Sequence, residues 1–165
     1  MYRTIEDLPP TTRAGLFVER LADMDTTTLM PVVLELFVSC GHKTEDRDAA
    51  LADLESFLVR RMICRLTPKN YNRLAVDLLK SLADGNGSPR DRLQKVLLAS
   101  DADTLRWPSD AEFLERVQGD PMYMVPTRKR LRMFLRSLEQ HLRTSKTEDT
   151  SLPRKHTVEH LLPRR

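Results

Sequence analysis

Large apolar residues return every third or fourth position along most of this chain, and several of these runs open on a helix-start signal. That spacing lines one face of an α-helix, whereas a half-buried strand needs strict alternation, so the pattern points to helices. The first stripe, from about Thr12 to Met24, is Leu16, Phe17, Leu21 and Met24. A second follows Thr28 with Leu29, Val32, Val33, Leu36, Phe37 and Cys40, and Gly41 is placed to end it. Its Val-Val-Leu-Glu-Leu-Phe-Val core also fits a buried strand, but the regular helical surroundings favour a helix. The third and longest segment, Thr44 to about Arg65, carries Leu51, Leu54, Phe57, Leu58 and Met62, with Arg61 near the same face.

Thr67-Pro68 reads as an N-cap followed by proline at the first helical position, ahead of Leu74, Leu78, Leu79 and Leu82. Gly85-Asn86-Gly87 stops that helix. Ser88-Pro89-Arg90-Asp91 repeats the start signal before Leu93, Val96 and Leu97. Ser109-Asp110-Ala111-Glu112 is a capping box opening a short helix with Phe113, Leu114 and Val117. Thr127 precedes the last stripe, Leu131, Phe134, Leu135, Leu138 and Leu142. The expected fold is therefore an all-α helical bundle of about seven helices over residues 1–143. Residues 144–156 are polar and aperiodic and read as a linker, and 157–165 look like an extended segment closed by Pro163.

Composition agrees with a real core. Of 165 residues, 40% are hydrophobic and 31% charged, at a mean hydropathy of −0.45. Neither a disordered chain nor collagen has that balance. No apolar run reaches the roughly 20 residues of a membrane helix. The N-terminus lacks the apolar core and cleavage site of an export signal, so a cytoplasmic location and no membrane partner are expected. Cys40 and Cys64 have no C-x-x-C spacing and sit in apolar stretches, which suits buried thiols, with a metal or redox role the alternative. His42, His141 and His156 form no metal-ligand spacing.

Charge is uneven. Residues 1–125 hold 16 Lys+Arg against 20 Asp+Glu, whereas 126–165 hold 11 against 4. A basic C-terminal part is a legitimate pointer to a polyanion. Arg128, Arg132 and Arg136 recur at i, i+4, i+8 on the last helix beside Lys129 and are the candidate contacts to a DNA backbone. Such contacts position DNA without reading its sequence. The alternative is a solvated face that supports solubility.

Glu159 and His160 precede Pro163 at the end of the extended segment. A carboxylate can hold a hard divalent cation and a neutral imidazole can take a proton from water, the pairing that phosphodiester hydrolysis uses. Together with LESFLVRRMICRLTPKNYNRLAVDLLKSL at 54–82, RWPSDAEFLERV at 106–117 and HTVEHLLP at 156–163, this order of elements resembles GmrSD-type restriction endonucleases over roughly residues 30–163. The resemblance implies a helical connector between a nucleotidase domain and an HNH-type (His-Me finger) nuclease. It implies His160 as general base, Glu159 as metal ligand or its support, and a divalent cation such as Mg²⁺ in the completed site. DNA and the other domains of a parent chain are the implied partners. The second finger strand, the metal-binding helix and the nucleotidase signature are absent from these 165 residues. The expectation is thus a fragment, inactive alone and binding no metal. The alternative is a standalone, non-catalytic helical module that binds protein or nucleic acid.

Arg60 and Arg61 are expected to pair with carboxylates such as Asp77 on a neighbouring helix, with a phosphate or domain-interface contact as the alternative. Trp107 is expected to pack on Phe113 or on the bundle, and Asn70, Tyr71 and Asn72 to satisfy local backbone in a first helical turn.

Overall fold

Helix-start chemistry is the clearest link from sequence to structure here. Thr12, Ser88, Ser109 and Thr127 each accept a hydrogen bond from the backbone N–H three residues on, at 3.1, 3.1, 3.2 and 3.4 Å. A computed structural model describes residues 5, 7–122 and 127–144, and within them the protein is all-α. Its helices are α1 (Arg13–Asp23), α2 (Met30–Cys40), α3 (Thr44–Ile63), α4 (Tyr71–Ala83), α5 (Pro89–Leu97), α6 (Asp110–Gly119) and α7 (Arg128–Leu142). A single 3₁₀ turn, Thr27–Leu29, leads into α2. The segment with the strand-like Val-Val-Leu run is helical, with Val32, Val33 and Leu36 fully buried. The linker from residue 145 and the extended segment 157–165 lie outside the described residues.

Two compact units are present, Met1–Asp120, which holds α1 to α6, and Pro121–Arg165, which holds α7. In the first unit α3 is the hub, packed against α1, α2, α5 and α6, while α4 packs on α2 and α5. Leu51, Leu54, Phe57 and Leu58 of α3 are buried, along with Phe17 and Leu21 of α1, Leu78 of α4 and Leu93 and Leu97 of α5. Burying one such side chain is worth about 1.5–3 kcal/mol, so this cluster is the main driving force for the fold. Polar ties frame it. Arg13 (2.7 Å) and Arg20 both reach Glu55, joining α1 to α3. Arg90 (2.6 Å) and Gln94 (2.9 Å) both reach Asp53, joining α5 to α3.

Both α1 and α3 end in a left-handed residue that is not glycine, Asp25 (φ 57°) and Arg65 (φ 58°). The Thr26 N–H bonds the Leu21 carbonyl at 3.1 Å, and the Leu66 N–H bonds that of Arg61 at 2.9 Å. These bonds close two Schellman motifs that satisfy the last carbonyls of each helix.

The start of α4 departs from expectation. Thr67 does not cap it; the chain makes a further turn, with the Tyr71 N–H on the Pro68 carbonyl at 3.0 Å, and the helix begins at Tyr71. The Thr67 carbonyl is taken by Arg61 instead, at 2.7 Å. A tertiary donor has displaced the local helix start.

Gly15, in the first turn of α1, is where the preceding chain crosses the helix. A β-carbon there would stand 2.2 Å from the Pro9 carbonyl oxygen and 2.7 Å from that of Leu8. We expect Gly15→Ala to destabilise the fold by about 1–3 kcal/mol, the usual range for forced overpacking. Gly119→Ala, where a β-carbon meets nothing within 4 Å, is the control and should shift stability by no more than about 0.5 kcal/mol. Urea titrations of both variants measure the contrast.

Candidate functional site: an arginine clasp and a basic helix

The two sequence elements Phe-Leu-x-Arg-Arg (57–61) and Arg-Trp-Pro-Ser-Asp (106–110) lie far apart in the chain and meet in space. At their centre Arg61 is fully buried, 0% exposed, and no carboxylate stands among its hydrogen-bond partners. Its Nη1 donates to the Arg106 carbonyl at 2.8 Å. Its Nη2 donates to the carbonyls of Thr67 (2.7 Å), Thr104 (2.9 Å) and Asp103 (3.2 Å), and Nε to the Tyr71 hydroxyl (3.3 Å). The guanidinium also faces the rings of Phe57 and Tyr71, 5.3 and 5.6 Å from their centroids.

Only arginine can do this. Its planar fork carries five N–H donors in fixed directions, and it is less strongly hydrated than an ammonium, so it is the cation best suited to burial among carbonyl dipoles. The result is a clasp that fixes the turn before α4 and the loop 103–106 onto the face of α3. Asp77 takes no part in it: it pairs with Arg73 one turn away on α4, at 3.8 Å. The carboxylate expected for Arg61 is thus replaced by peptide carbonyls, because the loop covering α3 presents its backbone inward at this point.

Arg60 works on the next strip of the same helix. It donates to the Pro108 carbonyl at 3.2 Å and the Ser56 hydroxyl at 3.1 Å, pairs with Asp110, and lies 5.6 Å over the Phe113 ring. Trp107 packs edge-on against Phe57, centroids 5.9 Å apart at 90°, so its anchor is the bundle core. Arg106 completes the arrangement with two bonds to Glu112, at 2.5 and 2.7 Å, and one to Asp103 at 2.8 Å. Those bonds hold the Glu112 carboxyl below the usual range and the Arg106 guanidinium above its own.

The sequence singles out Arg60, Arg61 and Trp107 but not Arg106, and it reads Glu112 only as a capping-box acid and Tyr71 only as a first-turn residue. An available signal is the spacing of Arg106 and Glu112 around the Ser109 cap, which brings the carboxylate of the first helical turn back toward the residue before Trp107.

Of the candidate DNA contacts, Arg128 and Lys129 are exposed in the first turn of α7, while Arg132 and Arg136 are half-buried and, like Lys129, have interaction partners. Leu131, Met133 and Phe134 of the same helix are buried, whereas Leu135, Leu138 and Leu142 are exposed. Glu159 and His160 lie outside the described residues. Among the described residues no three His, Cys, Asp or Glu side chains come together to hold a metal ion. Cys40 and Cys64 are buried and free, and burial pushes both thiols up, away from the reactive thiolate. Comparison with protein-family models, curated proteins and solved structures returns no match.

Two outcomes test the clasp. Arg61→Met leaves four carbonyls and a hydroxyl without their donor and should cost about 3–5 kcal/mol in urea unfolding. Arg61→Lys should recover only part of that loss, since three tetrahedral donors cannot follow the planar fork. The second outcome concerns pH. Because the Glu112 carboxyl is lowered in the fold, its contribution is complete above the ordinary glutamate value and is lost as pH falls through the lowered one. Glu112→Gln should therefore be less stable than the parent at pH 7, and the difference should close as thermal melts are repeated at increasingly acidic pH.

Proposed function

We propose that this chain is the helical, non-catalytic region of a GmrSD-type restriction endonuclease, and that its basic segment contacts the DNA backbone. The observation that carries this reading is the docking of residues 57–61 on residues 106–110 through Arg60, Arg61 and Trp107. These are two of the elements on which the resemblance rests, and they form one clasp. Among the described residues the clasp is structural, with its arginines occupied by the protein's own backbone and carboxylates, so the reading assigns it no chemistry.

The DNA part of the proposal is supported by the start of α7. Arg128, Lys129 and Arg130 fill its first turn, which holds no acidic residue. Lys129 and Arg130 already have interaction partners, so the support rests on the exposed Arg128, whose charge opposes the positive end of the helix dipole and would be favoured by a phosphate neighbour. In this reading Glu159 and His160 belong to a nuclease finger that other parts of the parent protein complete.

Fluorescence anisotropy with a labelled duplex tests the contact. Binding should be independent of sequence and weaken steeply with salt. Neutralising Arg128 and Lys129 together should flatten the log–log salt slope by about 0.9 for each phosphate that no longer meets a cation. Unchanged binding in that variant overturns the DNA role, and Mg²⁺-dependent cutting abolished by His160→Ala overturns the non-catalytic one. The exposed Leu135, Leu138 and Leu142 on α7 favour a second reading, a standalone module that contacts protein. Absence of any duplex binding by the parent chain would leave that second reading standing.

A further inference from the structure

Each of α1 to α5, and α7, buries at least three residues, but α6 buries none. Its apolar contribution is limited to Phe113 and Val117, both half-buried, while Leu114 is 52% exposed. Charge supplies most of the rest. Asp110 pairs with Arg60, Glu112 with Arg106 at 2.5 Å, and Asp120, just past the helix, lies 3.5 Å from Arg65. The Arg60 guanidinium over Phe113 adds a cation–π contact. The last of the ion pairs is loose: among the described residues the buried Asp120 Oδ2 accepts no hydrogen bond, although it also stands 3.5 Å from Arg116.

Upstream, the picture reverses at once. Residues 103–106 are locked by the buried Arg61, and Trp107 is seated on Phe57. The boundary between firmly and lightly held chain therefore falls at Pro108–Ser109.

We infer that α6 is a releasable tether, held to α3 by Arg60–Asp110 and to the preceding loop by Arg106–Glu112, and able to leave the bundle without displacing Arg61 or Trp107. The pair that reaches α3 is the one ions screen most, since the Asp110 carboxylate is 82% exposed; charges at the surface interact over about 10 Å at 0.1 M salt and about 3 Å at 1 M. Apolar burial, which holds the other helices of this unit, is not screened in this way. Release frees residues 109–120 as linker, a segment spanning up to roughly 40 Å when extended. It lies directly before the segment that carries the basic helix. The inference stands apart from the DNA reading, since it concerns only how α6 is held.

Amide hydrogen exchange on the full chain tests it. In about 0.05 M NaCl, residues 110–119 should be at least roughly tenfold less protected than residues 50–61 of α3. Raising NaCl to about 1 M should lower protection of α6 severalfold further while α3 keeps its own. Arg60→Gln separates tethering from any effect of salt on the helix itself: it removes a clamp on α3 and leaves the acids of α6 in place. It should reproduce part of the high-salt loss at low salt, with α3 unchanged. Protection of α6 equal to that of α3, insensitivity of α6 to salt, or no response to Arg60→Gln would each overturn the proposal.

Discussion

The first unit depends on one buried cation. Taking a guanidinium out of water is expensive, and the penalty is recovered only where every donor direction meets an acceptor. Each of the three guanidinium nitrogens of Arg61 meets an acceptor, with four carbonyls and a hydroxyl drawn from two separate stretches, residues 67–71 and 103–106. Neither stretch is regular structure over its whole length, so both hold inward-facing carbonyls that no helix uses. Cation and carbonyls solve each other's problem. A loop that would otherwise have to hydrate its backbone is fastened to the hub helix, and the start of α4 is fixed by the same bonds.

Around this centre the polar ties are shared between elements in a consistent way. Glu55 and Asp53 on α3 receive the arginines of α1 and α5, and Arg60 and Arg61 on α3 reach out to residues 103–113. One helix thus presents acids toward two neighbours and bases toward another. Exposed pairs of this type add little stability each, but they select which helix packs where and in what register. Apolar burial supplies the driving force, and these pairs supply the choice among otherwise similar helical arrangements.

Charge also separates along the chain. The residues up to 125 are net acidic and those from 126 net basic. In the bundle most arginines described above face carboxylates or carbonyls, which leaves little uncompensated positive charge there. The first turn of α7 has no acid among its residues, and Arg128 and Lys129 are exposed. The lightly held α6 stands in sequence between a rigid, self-neutralised bundle and a basic segment.

The all-α character, the helix starts at Thr12, Ser88, Ser109 and Thr127, and most of the buried stripes of α1 to α5 were legible in the sequence, because capping and 3.6-residue periodicity are local and each is written within a few neighbouring residues; the stripes read for α6 and α7 are largely exposed. Leu29, Val32, Leu54, Leu74 and Leu93 are buried as their spacing requires. What could not be read was where a long polar side chain goes when it enters the core. Arg61 shares a face with leucines, yet its partners lie as many as 45 positions away and are mostly backbone atoms, which carry no sequence signature. The same contact moved the start of α4 past Thr67, overriding a local capping signal, and it holds the loop from which Trp107 reaches Phe57 of the bundle. Periodicity by itself determined which elements form and, for α1 to α5, which faces they bury. The tertiary structure alone decided that two candidate motifs are halves of one clasp, since only folding brings a buried donor to carbonyls distant in sequence.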